Sequence, residues 1–140
     1  NCREVEVAIL GNEEVEASAV GEIEVENAFY DYGAKYVDDS SSLHIPARIE
    51  SDLAERVREM GMRAFRAVEA CGLSRVDFFV RKNDGQTYIN EINTLPGFTP
   101  VSMYPKLWEA SGLAYGVLID RLIELALERH EDKKSIKTSR

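Results

Sequence analysis

The chain has 140 residues, of which 17 are basic and 25 acidic, so its formal net charge is −8, and 44% of its residues are hydrophobic. The hydrophobic share suffices for a buried core, and the negative charge argues against nucleic-acid phosphates or an anionic bilayer as partners. Two cysteines exclude a multi-disulfide scaffold and no apolar run is long enough for a membrane helix, so we expect a cytoplasmic globular domain or a piece of one.

The first part of the chain predicts strands at 4–10 and 15–25. Glutamate and apolar residues alternate at 4–7 and 22–25, as in a half-buried strand, and Ala-Ile-Leu at 8–10 indicates that the first strand becomes fully buried. We interpret the glutamates of these strands, Glu4 excepted, as a solvated sheet face.

A long irregular stretch follows, at about residues 27–46. It has no periodicity but carries several tyrosines, a lysine and a run of serines. Such stretches inside compact domains are mostly functional or disordered, and aromatic residues argue against disorder. A helix is predicted next, with Ser51 as its N-cap and Gly72 after its end.

The second half predicts a hairpin, a loop and two helices. Strands at 75–82 and 86–92 are joined by Asn-Asp-Gly, a strong hairpin signal. The loop at 93–100 is rich in glycine and proline, and helices are predicted at 102–109 and 115–128. The domain is expected to end near residue 130, with 131–140 as a disordered tail.

The hairpin places four polar side chains together. A three-residue loop at 83–85 puts Asp77 opposite Glu91 and Arg75 opposite Asn93, on one face of the ribbon. We call these four residues the polar square. The other face is predicted to carry the hydrophobic side chains Val76, Phe78, Val80, Tyr88 and Ile92.

The polar square suits a hard cation bound against a phosphate. Facing Cβ atoms lie about 4.5–5.5 Å apart, and two carboxylates at that distance repel each other unless a cation lies between them. Asp77, Glu91 and the amide oxygen of Asn93 are ligands that Mg²⁺ prefers, and Arg75 can bind phosphoryl oxygens. The alternative is a surface pairing in which Arg75 merely compensates the acids. The following loop favours a reaction site, because Gly97 can bring a backbone N–H close to a reacting group.

Four ordered segments resemble the D-alanine–D-alanine ligases of the ATP-grasp superfamily. The match is to the C-terminal part of such a ligase, and it implies an α+β fold with a mainly antiparallel sheet packed against helices. The segments are NEINTLPGFT at 90–99 followed by SMYP at 102–105, REVEVAILG at 3–11, FYDYGAKY at 29–36, and GLSRVDFF at 72–79.

The resemblance implies ATP-dependent joining of two D-alanines through an acyl phosphate, for peptidoglycan precursors in bacteria. It assigns two Mg²⁺ ions, which Mn²⁺ can replace, to Asp77, Glu91 and Asn93. Arg75 and the N–H of Gly97 would stabilise the oxyanion that develops during the reaction.

The resemblance also assigns the nucleotide contacts. Glu4 corresponds to the family's ribose-binding glutamate, and Asn90 and Glu91 lie beside the nucleotide. The irregular stretch corresponds to a mobile lid, in which Lys35 contacts phosphate and Tyr36 closes the site.

The second substrate's carboxylate would be bound by Ser102 and Lys35, with Met103 as a wall of its pocket. Tyr36, where a histidine would favour D-lactate, favours an amino-acid acceptor, and D-serine stays open beside D-alanine. The family's N-terminal and central segments have no counterpart in these 140 residues. We therefore expect the chain to be inactive alone and the full-length enzyme to be a homodimer. A non-catalytic binding module with the same fold is the rival hypothesis.

Overall fold

The computed structural model describes residues 1–25 and 41–135. Five strands form one antiparallel sheet in the order β3-β2-β1-β4-β5. The α+β architecture expected from the sequence is confirmed. The strands are β1 Cys2–Gly11, β2 Val15–Val25, β3 Ser41–His44, β4 Gly72–Arg81 and β5 Thr87–Asn93, and the helices are α1 Ser51–Ala67, α2 Met103–Ala110 and α3 Tyr115–Ser135.

Helices cover both faces of the sheet, because β1 alternates its side chains between two separate cores. Val5, Val7 and Ile9 pack with Phe65 and other residues of α1. Ala8 and Leu10 point the other way and pack with the buried side chains Tyr104, Leu107, Trp108, Leu118 and Leu125 of α2 and α3. Strand β1 is therefore the centre of a three-layer structure, buried on both faces.

The pairing of β1 with β2 is interrupted by a bulge, at which a serine side chain forms hydrogen bonds with the backbone. The register shifts between Val7 and Ile9. Ser18, which is fully buried, accepts a hydrogen bond of 2.9 Å from the N–H of Ala8 and donates one of 2.7 Å to the carbonyl of Ala19. The serine hydroxyl thus replaces backbone hydrogen bonds that regular strand pairing would have formed.

Several element boundaries differ from the sequence prediction. Residues 41–44 form β3, although the loop was predicted to extend to about residue 46. The N-cap of α1 is Glu50 rather than Ser51, and this helix ends at Ala67, before Glu69 adopts a φ of 52°. Helix α3 continues to Ser135, five residues into the predicted tail. The rest of that tail, 136–140, lies outside the described residues, and none of the described helices is long and apolar enough to cross a bilayer.

Candidate active site

The hairpin of β4 and β5 brings the polar square together as predicted. Asp77 is the direct partner of Glu91, and Arg75 is the direct partner of Asn93. Directly paired residues share a face of the sheet, so all four side chains lie on the face that α2 and α3 cover.

The hairpin loop has four residues, 82–85, rather than the predicted three. The N–H of Arg81 donates to the carbonyl of Gln86 over 2.9 Å, and Gly85 adopts a φ of 68°. The expected register at the square nevertheless holds because Asn90 forms a bulge, and Phe78 pairs with Ile89. The same bulge turns Tyr88 to the face of the square, opposite Phe79, so its predicted position on the other face is wrong.

Arg75 is the cation of the square. Its Nε and Nη2 atoms donate to the two carboxylate oxygens of Asp77 over 2.7 and 2.8 Å, and Nη2 lies 4.0 Å from Glu91 Oε1. The pKa of Arg75 is raised above its ordinary value, mainly by the hydrogen bonds to Asp77 and further by the charge of Glu6. Partial burial acts in the opposite direction but is the weaker effect. The guanidinium therefore stays charged at neutral pH.

A carboxylate that the sequence analysis did not select completes this cluster. Glu6 of β1 is directly opposite Asp77, is 2% exposed, and its Oε2 lies 3.0 Å from Arg75 Nε. Its predicted position on a solvated face is wrong, as it is for Glu22, which is also buried. The Glu-Val alternation showed which residues of β1 share a face, but not that β1 would pair with β4.

The oxygen donors of the square fit a magnesium ion. Among residues 1–25 and 41–135 no three carboxylates, imidazoles or thiols converge on one point. Two carboxylates and an amide oxygen are nevertheless sufficient, because Mg²⁺ typically takes one or two carboxylates and completes its shell with water and substrate phosphate. Asp77 keeps a free lone pair on each oxygen beside Arg75, and Asn93 Oδ1 accepts one hydrogen bond of 3.2 Å, from the N–H of Leu95.

The loop after β5 is anchored by aromatic residues. The ring of Phe98 packs against those of Tyr104 and Tyr115, with centroids 5.7 and 5.6 Å apart. Tyr115 also donates a hydrogen bond of 3.0 Å to the carbonyl of Phe98. These contacts hold the loop, and with it Gly97, against α2 and α3.

Gly97 lies against Ser102 at the end of this loop. A Cβ atom at Gly97 would stand 3.0 Å from Ser102 Oγ, so a larger residue would displace that hydroxyl. Ser102 Oγ lies 2.8 Å from Thr99 Oγ1 and accepts a hydrogen bond of 3.0 Å from the N–H of Thr99. Ser102 is the N-cap of α2 but its side chain does not bind the first N–H groups of the helix, which leaves them available to a carboxylate.

The remaining predicted residues lie apart from one another. Glu4 is half-buried in β1, opposite Phe79, and Asn90 is exposed in the bulge of β5. Met103 is 9% exposed and packs in the core with α2 and α3. Lys35 and Tyr36 lie outside the described residues.

Comparison with known proteins identifies relatives of this chain. Residues 1–124 match a family model described as the D-Ala D-Ala ligase C-terminus. The chain is 56% identical over 140 residues to a D-alanine–D-alanine ligase of Heliobacterium modesticaldum, and 58% identical over 136 residues to that of Ruminiclostridium cellulolyticum. These matches cover 100% and 96% of the chain but only 38% and 36% of the two relatives.

Solved structures show the same fold. The D-alanine–D-alanine ligase of Coxiella burnetii superposes with a TM-score of 0.81 at 38% identity, covering 96% of this chain and 34% of that one. The VanG D-Ala:D-Ser ligase of Enterococcus faecalis gives 0.79 at 39% identity, over 89% of this chain and 36% of that one. The Bacillus anthracis ligase complexed with ATP gives 0.76 at 31% identity, over 95% and 42%. The fold, the matched family model and the relatives together establish that this chain belongs to the D-alanine–D-alanine ligase family, within its C-terminal portion.

Proposed function

We propose that the protein containing this chain is an ATP-dependent ligase that joins two D-alanines. The observation that carries the proposal is the polar square, in which two facing carboxylates and an amide oxygen lie beside one arginine. Such a donor set on a sheet face suits magnesium and phosphate better than a structural pairing. Among the described residues, the charge of Arg75 only partly compensates the facing carboxylates Asp77 and Glu91.

The proposed reaction has two steps. The carboxylate of the first D-alanine attacks the γ-phosphorus of ATP, which forms an acyl phosphate and releases ADP. The amine of the second D-alanine then attacks the acyl carbon and loses a proton, and the tetrahedral intermediate collapses to dipeptide and inorganic phosphate. Catalysis of such transfers consists mainly of positioning and neutralisation of charge.

The chain's own residues have distinct roles in this proposal. Asp77, Glu91 and Asn93 would hold magnesium, which when bound neutralises charge on the phosphates. Arg75 and the N–H of Gly97 would stabilise the developing oxyanion, because preorganised donors cost no reorganisation during the reaction.

Binding of the substrates rests on a second set of residues. Glu4, with Asn90 and Glu91 nearby, would hold the nucleotide, and Ser102 at the start of α2 would bind the second substrate's carboxylate. Lys35 and Tyr36 are proposed to act from the lid over the phosphates, and Met103 would support the acceptor pocket from the core. A cytoplasmic homodimer is the form we propose for the full-length enzyme.

D-Serine is the second candidate for the acceptor, because a D-Ala:D-Ser ligase is among the structural relatives. The two acceptors differ by one hydroxyl group. Comparison of kcat/KM for D-alanine and D-serine as acceptor, with D-alanine as donor, decides between them. A ratio well above one in favour of D-serine would replace D-alanine in the proposal.

Replacement of Glu91 by glutamine tests the proposed role of the square. In the full-length protein, Glu91→Gln should lower phosphate release with ATP, Mg²⁺ and D-alanine by more than about 100-fold, because a metal ligand is lost. Glu91 is exposed, so the melting temperature should change little. Glu16→Gln, an exposed glutamate of β2 paired with Arg121, is the matched control and should retain activity. Unchanged turnover in Glu91→Gln would refute the role, and absence of ligation by the wild type would favour the non-catalytic module.

A further inference from the structure

Glu6 is a second buried carboxylate that shares Arg75 with Asp77. Glu6 and Asp77 are direct partners on neighbouring strands, 2% and 4% exposed. Arg75 Nε donates its N–H to Asp77 Oδ1 and forms an ion pair with Glu6 Oε2 at 3.0 Å. On its other side Glu6 is paired with Gly21, against which Leu107 of α2 packs. Glu6 is thus enclosed by the sheet and is reached by Arg75 rather than by solvent.

Three carboxylates lie around this arginine. Glu6 Oε2 and Asp77 Oδ1 are 3.0 and 2.7 Å from Arg75 Nε, and Glu91 Oε1 is 4.0 Å from Nη2. Adjacent buried carboxylates repel each other, so the guanidinium that lies against both of them stabilises the pair.

The two carboxylates differ in what else they can bind. Asp77 and Glu91 face each other across the hairpin and can share a cation, whereas Glu6 lies on the β1 side of Asp77, away from Glu91. A cation bound to Asp77 competes with Arg75 for the same oxygens and weakens that pair. Glu6 would then be the carboxylate that still holds the guanidinium.

We infer that Glu6 is a positioning residue: its buried carboxylate keeps Arg75 oriented toward the reacting groups while Asp77 binds magnesium. The inference rests on the proposed function for its consequence in catalysis. Its structural part, that Glu6 retains Arg75 when a divalent cation is present, can be measured without turnover.

The first experiment measures the reactivity of Arg75 in the full-length protein. Labelling by an arginine-specific dicarbonyl is followed by peptide mass spectrometry, with and without Mg²⁺ and without nucleotide. A guanidinium held by a carboxylate stays charged and reacts slowly. Labelling of Arg75 should therefore stay low in the wild type but rise severalfold on addition of Mg²⁺ in Glu6→Gln. Arg121, which pairs with exposed Glu16, serves as an internal standard.

Glu22→Gln is the matched control. Glu22 is likewise a buried strand glutamate, with Arg3 Nε 3.5 Å away, but it is paired with Val5, which faces α1. This variant should lose a buried charge without changing the labelling of Arg75 or turnover. If Glu6→Gln does not fold, Glu6→Asp, which withdraws the carboxylate by one methylene, should show the same rise in labelling with Mg²⁺.

The second experiment separates positioning from general stability. Glu6→Gln should lower kcat by about 10- to 100-fold while KM for ATP changes little, because Glu6 contacts Arg75 and not the substrates. In a double-mutant cycle, Glu6→Gln should add little to the loss caused by Arg75→Lys, because both act through one group. Unchanged Arg75 labelling with Mg²⁺ in the Glu6 variants, or additive losses, would overturn the inference. Failure of the wild type to ligate D-alanine would instead overturn the proposed function, with the labelling result still deciding the role of Glu6.

Discussion

Tyr104 illustrates how one buried residue connects a helix to the central strand. It is the largest fully buried side chain among the described residues, and its hydroxyl donates a hydrogen bond of 3.0 Å to the carbonyl of Ile9. Burial raises the pKa of the phenol above its ordinary value of 10.0. Since the fold favours the neutral phenol, this stability is fully present below pH 10.0 and is lost as the pH rises beyond that value.

Replacement of Tyr104 by phenylalanine should therefore act in two ways. The free energy of unfolding should fall by about 1–3 kcal/mol, because the buried carbonyl of Ile9 loses this donor. Above pH 10.0 the free energy of unfolding should also decrease less steeply in the variant than in the wild type, because phenylalanine does not ionise. Urea denaturation followed by fluorescence of Trp108, the chain's one tryptophan, measures both effects. Identical alkaline profiles for wild type and variant would contradict the second expectation.

Gly97 offers a test of close packing beside the site. Gly97→Ala places a methyl group 3.0 Å from Ser102 Oγ and should shift this hydroxyl from Thr99. Because small displacements of positioning groups are costly in catalysis, we expect a loss of about 10- to 100-fold in kcat/KM for the acceptor. Gly112→Ala introduces a methyl group with no atom within 4 Å, but at a φ of 89°, so it controls for backbone effects away from the site. If Gly97→Ala has wild-type kinetics, catalysis does not require the close approach of Gly97 to Ser102.

At the scale of elements, Asn12 fastens the last helix to the sheet. Its side-chain amide donates to the carbonyl of Leu125 over 3.0 Å and to Glu128 over 2.8 Å, and its oxygen accepts from the N–H of Gly72 over 3.2 Å. One turn residue thus connects the end of β1, the start of β4 and α3.

Asn12→Ala should lower the free energy of unfolding by about 1–3 kcal/mol, since several hydrogen bonds with partly buried groups are lost together. Hydrogen exchange should speed up in α3 more than in β1, because the packing of β1 on both faces is unaffected. Glu128→Gln, which keeps a side-chain acceptor for Asn12, is the control and should cost much less. Equal stability of Asn12→Ala and wild type would show that apolar packing alone holds the helix.

At the scale of the whole molecule, the chain spans less than half the length of the relatives it matches. We expect the isolated 140-residue chain to fold, because both cores of the described part lie on β1 and together include α1, α2 and α3. We also expect it to release no phosphate above background with ATP, Mg²⁺ and D-alanine, although the full-length protein should. Circular dichroism and a phosphate assay on both proteins check this, and turnover by the isolated chain comparable to the full-length protein would contradict it.

Local patterns predicted most of the fold and the core of the site. Alternating residues and an Asn-Asp-Gly turn sufficed to predict the hairpin and to pair Asp77 with Glu91. The loop length was wrong by one residue, and the bulge at Asn90 absorbed the difference. A bulge is a tertiary compromise between twist, packing and register, so short-range patterns do not reveal it.

The amino-acid sequence by itself determined which residues share a face of a strand, where the main strands and helices lie, and the family resemblance that the family model confirms. Only the tertiary structure decided which strands become neighbours and what each face meets. Glu6 and Glu22 were predicted to be solvated because alternation does not reveal strand order. Glu6 lies on β1, the central strand, with a helical layer on each face, and Glu22 lies on β2, between β1 and β3. Burial is a property of these long-range contacts, and for Glu6 it changes a surface charge into a partner of Arg75.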